Sequence, residues 1–227
     1  MCGRTSLYVD PAVVEDRFDA AFDYEFEPRY NIAPGQPLAT IRNVDQDTIV
    51  EQEWGLVPDW AEDPGESPRP INARTETVDR KPFFSDAFEN RRCLVLADGF
   101  YEWQGERGSK RPYRIHLTDD RPFAMAGVWN RRDANGGRLE TVAILTTEAN
   151  DLMAPIHDRM PVVLAPGEEE TWLAGYKPEA LAVCDPYDGE DMDAYEVSTT
   201  VNNPENDSPA VVQPADSEQR GLGDFAG

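Results

Sequence analysis

The cysteine at position 2 is the residue best suited to covalent chemistry in this sequence. A small second residue normally permits removal of the initiator Met, which would give Cys2 a free α-amine beside its thiol. The reference pKa values of these two groups are about 7.7–8.0 and 8.5, so both are partly deprotonated near neutral pH. A neutral amine can form a Schiff base with an aldehyde, and the thiol can then add to the imine to close a five-membered thiazolidine. Alone, however, a cysteine in this place is more often only a small terminal residue.

Six short motifs give Cys2 a context. They are MCGR at 1–4, RYNIAPGQ at 29–36, WGLVPDW at 54–60, INARTET at 71–77, LADGFYEW at 96–103 and IHDRMPVVL at 156–164. In this order, and with Cys at position 2, they resemble the SRAP family. These are the abasic-site-processing proteins of bacteria, archaea and eukaryotes, also called SOS-response-associated peptidases. The resemblance covers roughly residues 1–205.

The resemblance implies a function in DNA repair. Family members capture abasic sites in single-stranded DNA: the N-terminal Cys condenses with the ring-opened sugar aldehyde and leaves a stable DNA–protein crosslink that shields the lesion. The sequence leaves open whether the crosslink is permanent, reverses, or accompanies strand cleavage by a lyase reaction. Carried over by position, Cys2 is the nucleophile, and Asn72, Glu102 and His157 are its supporting polar groups.

The chemistry needs such supporting groups. A closed sugar must open by proton transfer at its ring oxygen, and water must leave the carbinolamine with the help of a general acid. We expect Glu102 near the α-amine and His157 near the sugar oxygen, with Asn72 holding the terminus or the sugar by hydrogen bonds. Considered singly, Glu102 would suit a buried ion pair, His157 a salt-bridged loop, and Asn72 a turn cap.

A second group of residues is expected to face DNA, chiefly by contacts to phosphate. Arginine binds phosphate through paired hydrogen bonds, and such contacts position a strand without reading its sequence. An exposed Trp60 could stack on a base, whereas we interpret Trp54, Cys93 and Cys184 as core residues. The expected DNA-facing set is Arg4, Asn31, Pro34, Trp60, Arg74, Thr146 and Arg159.

The net charge restricts the environment in which such binding could occur. The 227 residues include 44 acidic and 21 basic side chains, for a formal net charge of −23. A surface this acidic repels itself and nucleic acid, unless salt near 1 M shortens the Debye length to about 3 Å. We therefore predict a protein adapted to high salt, from a halophilic archaeon. Residues 160–227 hold 15 acidic and 2 basic residues, so an anion-binding surface should lie in residues 1–159.

The residue patterns predict an α+β fold with largely antiparallel strands in a barrel-like core and short flanking helices. Helices are expected from Asp10-Pro11, from Pro82 and from Glu168–Glu170. Asn135-Gly136-Gly137 is a turn signal. The expected strands are 36–43, 47–53, 93–96, 112–117, 123–129, 139–146 and 160–164.

We expect residues 1–205 to form one domain and residues 206–227 to form a mobile acidic tail. In that tail Gln219, Leu222 and Phe225 stand three apart, as in peptides that bind the replication sliding clamp, which is therefore a candidate partner. Three Cys and two His without ligand spacing predict no metal or other cofactor. No apolar run approaches the length of a membrane span, so we expect a cytoplasmic, nucleoid-associated protein.

Two other function classes fit part of the sequence. Glutamine amidotransferases and other N-terminal-nucleophile hydrolases can also begin with Met-Cys-Gly, but the later motifs do not resemble theirs. A non-covalent single-strand binder, in which Cys2 is incidental, is the other alternative. Adduct formation on abasic DNA would separate both from the main hypothesis.

Overall fold

A computed structural model describes residues 2–61, 67–106, 108–134 and 137–215. Within them the chain forms fourteen strands and five α-helices, which confirms the predicted α+β class. The strands are β1 (Thr5–Leu7), β2 (Ala21–Phe22), β3 (Arg29–Ile32), β4 (Pro37–Arg42), β5 (Asp45–Trp54), β6 (Asn72–Arg74), β7 (Arg92–Ala97), β8 (Gly99–Gln104), β9 (Arg111–Leu117), β10 (Phe123–Ala134), β11 (Gly137–Glu148), β12 (Arg159–Pro161), β13 (Val163–Leu164) and β14 (Met192–Glu196). The helices are α1 (Pro11–Phe18), α2 (Thr75–Val78), α3 (Ser85–Asn90), α4 (Glu168–Ala174) and α5 (Lys177–Ala182), with 3₁₀ turns at Thr199–Asn202 and Pro209–Val212. None of the described helices is long and apolar enough to cross a membrane.

A closed five-strand barrel forms the core. The strands pair in the order β5, β4, β7, β10 and β11, all antiparallel. A short parallel pairing of β11 with β5, at Thr141–Glu53 and Val142–Trp54, closes the ring. Strand β7 is buried on both faces, one packing inside the barrel and the other against the helices. Its unbroken apolar sequence follows from that double burial, because neither face meets water.

A second, fully antiparallel sheet lies beside the barrel, in the strand order β14, β9, β8, β1 and β3. Strand β1 follows closely after the N-terminus, and β8 is connected to barrel strand β7 through Asp98 alone. This connection places the N-terminal segment next to the barrel wall.

The buried Asp98 carboxylate joins these strands. It accepts hydrogen bonds from Ser6 Oγ at 2.6 Å, from the backbone N–H groups of Tyr8 and Val9 at 2.5 and 3.1 Å, and from Arg114 Nη2 at 3.3 Å. Burial raises the pKa of Asp98, and these donors oppose that effect. The Arg114 guanidinium lies so close to Gly99 that a Cβ there would come within 2.7 Å of it. Asp98, the single residue between barrel strand β7 and β8, is therefore bound to the first residues of the chain and to β9.

The predicted elements and the observed ones differ mainly in short segments. The seven predicted strands are present within a few residues, although the last divides at Val162 into β12 and β13, and β10 and β11 are longer than predicted. The helix predicted from Pro82 begins only at Ser85, although its expected apolar face, including Phe88, is buried. The short strands β1, β2, β3, β6, β8 and β14 were not predicted. Residues 135–136 of the predicted turn lie outside the described residues.

The boundary predicted for the tail is corrected for residues 206–215. Asp207 accepts hydrogen bonds from the backbone of Tyr30 and Asn31, and Val211 is buried in a small cluster with Tyr101. Pro214 forms a bridge with Val197. Hydrogen bonds of side chains and backbone provide much of the attachment of this segment to the domain. Apolar patterning in the sequence therefore did not predict it. The proposed clamp residues Gln219, Leu222 and Phe225 lie outside the described residues.

Candidate active site at the N-terminus

Cys2 and Asn72 meet directly. Strand β6 carries Asn72 beside barrel strand β11, where it is paired with Ile144. The Asn72 side-chain amide donates to the Cys2 carbonyl at 2.7 Å. Asn72 Oδ1 is buried and accepts no hydrogen bond from a described residue. This oxygen is thus free to accept one from a nearby amine or from a bound hydroxyl.

Glu102 lies on β8, which runs antiparallel to the N-terminal segment; Tyr101 N–H donates to the Arg4 carbonyl at 2.9 Å. Both Glu102 and Cys2 are buried. Burial, and then the negative charge of Glu102, raise the pKa of the Cys2 thiol to about 12. The thiol is therefore protonated at neutral pH, and the carboxylate is near enough to stabilise a cation that forms at the N-terminus.

His157 belongs to the loop before β12. This loop is attached to the end of β8 by a hydrogen bond from Gln104 Nε2 to the Pro155 carbonyl, at 2.9 Å. His157 Nδ1 lies 3.0 Å from the Arg159 N–H and 3.0 Å from an exposed Asp158 carboxylate oxygen. A neutral ring can accept from the first group, and a protonated ring can donate to the second. His157 Nδ1 thus has a hydrogen-bond donor and a carboxylate within hydrogen-bond distance.

Some of the residues expected to face DNA lie at the protein surface. Pro34 and Arg74 are exposed, and Arg74 lies two residues past Asn72 on β6. Trp60 is 60% exposed and rests edge-on against Phe83, with ring centroids 5.7 Å apart. Arg4 is half-buried, with Nη1 bound to Asn31 Oδ1 and to the Val201 carbonyl, both at 2.8 Å. Its Nη2 makes no hydrogen bond to a described residue and can still bind phosphate.

Three residues of that set lie in the interior, which argues against direct DNA contact. Thr146 is fully buried, and its hydroxyl has no hydrogen-bond partner among the described residues. Arg159 forms a two-pronged ion pair with Glu76 and donates to the Thr146 carbonyl at 2.6 Å. Hydrogen bonding to Arg159 lowers the pKa of Glu76. Sequence patterns could not show this burial, because it depends on which strands pair.

Asn31 shows this burial most clearly. Its side chain is fully buried, and Nδ2 lies 3.2, 3.1 and 2.9 Å from the carbonyls of Val201, Asn203 and Asn206. Oδ1 accepts from Arg4. Asn31 therefore anchors the segment after β14 and orients Arg4.

Cys93, Cys184 and Trp54 are buried, as expected for core residues. Cys93 and Trp54 pack inside the barrel, and burial raises the pKa of Cys184 to about 12. Within the described residues no three His, Cys, Asp or Glu side chains are grouped as a metal site would require.

Two further residues, Trp103 and Glu76, have contacts that the sequence patterns did not predict. Trp103 Nε1 donates to Asn202 Oδ1 at 2.7 Å. The Arg4 guanidinium lies over the Trp103 ring, with Cζ 5.8 Å from the ring centroid. Both residues lie inside the quoted motifs. Their proximity in sequence, Trp103 to Glu102 and Glu76 to Arg74, is the signal that could have identified them.

Fold and site together define a single-domain protein with a cysteine near its N-terminus beside an amide and a carboxylate. The family profile described as SOS response associated peptidase (SRAP) matches residues 1–204. The chain belongs to this family.

Named relatives agree with that assignment. The chain is 41% identical to abasic site processing protein YoaM of Bacillus subtilis, over 92% of this chain and 96% of the relative. It is 29% identical to abasic site processing protein YedK of Escherichia coli, over 94% and 100% of the two chains. It is 31% identical to abasic site processing protein HMCES of Mus musculus, over 95% of this chain and 76% of the relative. A crystal structure of a Bacteroides thetaiotaomicron protein superposes with a TM-score of 0.85 at 30% identity, covering 94% of this chain and all of the other.

The position of Asn31 leads to a stability prediction. Asn31→Ala should lower the free energy of unfolding by about 2–3 kcal/mol, because buried carbonyls and Arg4 lose their partner. Asn90→Ala removes an exposed amide bonded to Asp86 and should cost no more than about 0.5 kcal/mol. Urea unfolding of both variants checks this, and equal stabilities would refute the structural role of Asn31.

Proposed function

We propose that this protein captures abasic sites in single-stranded DNA through a covalent thiazolidine crosslink at Cys2. The observation that carries the proposal is the arrangement of Asn72 and Glu102 around Cys2, in a chain that belongs to the SRAP family. The named relatives are abasic site processing proteins. The chemistry requires Met1 to be removed, so that Cys2 carries a free α-amine.

The amine reacts first. Its lone pair attacks C1′ of the ring-opened sugar, and the aldehyde oxygen takes up a proton to give a carbinolamine. A general acid then protonates the departing hydroxyl, water leaves, and the iminium cation remains. Asn72 holds the Cys2 carbonyl, and so fixes the position of the amine. Its unpaired Oδ1 can accept from the amine or a sugar hydroxyl.

The thiol reacts second. Burial and the charge of Glu102 raise the pKa of the Cys2 thiol and so favour the protonated thiol before DNA arrives. The iminium cation favours loss of the thiol proton, and sulfur then bonds to C1′ while nitrogen becomes a neutral amine. The overall change joins an aldehyde and an aminothiol with loss of one water. It needs no oxidant or reductant.

Glu102 and His157 divide the proton transfers. The buried Glu102 carboxylate stabilises the cationic iminium and is suited to move protons at the Cys2 amine. His157, with partners for both of its protonation states, is suited to the sugar ring oxygen. Exposed Pro34, Trp60 and Arg74, together with Arg4, provide the DNA-facing surface.

The decisive variant is Cys2→Ala. Wild type should lose Met1 and form a denaturant-stable adduct with an abasic single-stranded oligonucleotide, detected by intact mass without borohydride. Cys2→Ala keeps the amine but has no thiol to trap the imine, so the stable adduct should be absent. Borohydride should still reveal the imine. A stable adduct in Cys2→Ala would disprove the thiazolidine mechanism.

The supporting residues have a kinetic prediction. Glu102→Gln and His157→Ala should each slow single-turnover crosslinking by about 10²–10⁴-fold, without a comparable loss of affinity for undamaged strands. Glu102→Gln should also lower the pKa of the Cys2 thiol, since a nearby negative charge is removed. Thiol alkylation against pH measures that shift. Wild-type rates in both variants would leave these residues with structural roles only.

The acidic surface fits a protein that works in high salt. With a net charge of −23, self-repulsion should weaken the fold in dilute buffer and be screened in concentrated salt. The melting temperature should therefore rise between low and multi-molar KCl. A melting temperature that is unchanged over this range would reject halophilic adaptation.

The last residues supply a candidate link to replication. Gln219, Leu222 and Phe225 are spaced so that one tight helical turn would place both apolar side chains on one side. Binding to the sliding clamp would keep the protein, within the nucleoid, near single-stranded gaps. A peptide of residues 214–227 should bind the host's clamp in high KCl, and a Leu222→Ala/Phe225→Ala peptide should not. Equal binding by the two peptides, or no binding by the natural one, would reject the link. Deleting residues 216–227 should leave crosslinking unchanged.

A further inference from the structure

The hairpin that joins β8 to β9 is basic in a strongly acidic protein. Residues 104–111 read QGERGSKR and contain three cations and one carboxylate, whereas the whole chain has a net charge of −23. This local excess of positive charge is an attractive surface for an anion.

The hairpin begins next to the candidate active site. Strand β8 carries Glu102 and ends at Gln104, two residues or about 7 Å further on. Gln104 also binds the loop that carries His157. A strand of DNA that delivers its abasic residue to Cys2 therefore has its neighbouring nucleotides within reach of this hairpin.

Within the hairpin, Lys110 faces an open cavity that it shares with Trp103, Gly108 and Asn202. Lys110 is exposed and makes no ion pair or hydrogen bond within the described part of the chain. By contrast, the next cation, Arg111, is paired with Glu196 at 3.4 Å. The ammonium of Lys110 is thus available to an external anion.

The opposite wall of the cavity is held in place. The Trp103 indole N–H donates to Asn202 Oδ1 at 2.7 Å, and the ring lies under the Arg4 guanidinium. Trp103 also lines the cavity, so its indole can contact a base there, and contact with an aromatic ring is tolerant of sequence. Arg4 retains Nη2 for a phosphate oxygen.

We propose that the cavity lined by Trp103, Lys110 and Asn202 is a binding subsite for a nucleotide of the DNA strand adjacent to the abasic residue. Lys110 binds its phosphate, and Trp103 contacts its base. This proposal rests on the proposed function, which identifies the ligand as single-stranded DNA. The basic hairpin would then position that DNA. Because the contacts are to phosphate and to a ring face, the subsite is indifferent to base sequence.

The test measures binding of an undamaged single-stranded oligonucleotide at several KCl concentrations. Lys110→Ala should reduce the slope of log affinity against log [KCl] by about 0.7, the effect of one lost phosphate contact on a single strand. Lys110→Arg should keep the wild-type slope. The matched control is Arg138→Ala, which removes an equally exposed cation at the start of β11, eight residues before Thr146. An unchanged slope in Lys110→Ala, or an equal change in Arg138→Ala, overturns the proposal.

Crosslinking locates the contact along the strand. With abasic oligonucleotides, Lys110→Ala should raise the half-saturating DNA concentration several-fold and leave the rate at saturation unchanged. Shortening the oligonucleotide one nucleotide at a time from one end should abolish the difference from wild type once the contacted phosphate is gone. A difference that persists at every length refutes a phosphate subsite.

The two proposals can fail separately. Undamaged DNA needs no covalent chemistry, so a Lys110-dependent salt slope with no adduct on abasic DNA would overturn the proposed function alone. Efficient wild-type crosslinking with no effect of Lys110→Ala would overturn the subsite alone.

Discussion

The attachment of the first residues to the interior is the constraint on which this structure depends. An N-terminus usually frays, because nothing holds its backbone. Here the Asp98 carboxylate receives two backbone N–H groups and one hydroxyl from residues 6–9, and Arg114 binds the same carboxylate from β9. Removing one partner of such a buried pair is strongly destabilising, so Asp98 and Arg114 must be retained together.

Reactivity at Cys2 follows from that attachment. A terminal amine and thiol are useful only if they meet the same carbon atom in a fixed geometry. The Asn72 amide fixes the Cys2 carbonyl, while β8 brings Glu102 against the same segment. Burial, and then the negative charge of Glu102, raise the pKa of the Cys2 thiol. The burial that fixes the terminus therefore also favours the protonated form of its thiol.

The C-terminal half contributes to the site through the segment after β14. Asn31 and Asp207 fix residues 201–207 against β3. Arg4 Nη1 then donates both to the Val201 carbonyl and to Asn31 Oδ1. Asn202 holds Trp103. Arg4 is therefore positioned by a neutral amide and a neutral carbonyl, which hold the cation without cancelling its charge.

The reactive cysteine and the α+β fold class could be predicted from the sequence alone. Cys2, the six ordered motifs and the long apolar strands depend on residue types and local spacing, and the charge excess is a property of composition. Which polar residues are buried depends instead on tertiary contacts. Asn31, Thr146 and Arg159 are of types that suit DNA contact, but strand pairing places them inside the protein. The tertiary structure also decided that residues 206–215 are attached and that Trp103 and Lys110 share a cavity. These outcomes depend on contacts between segments far apart in the chain, which local patterns do not encode.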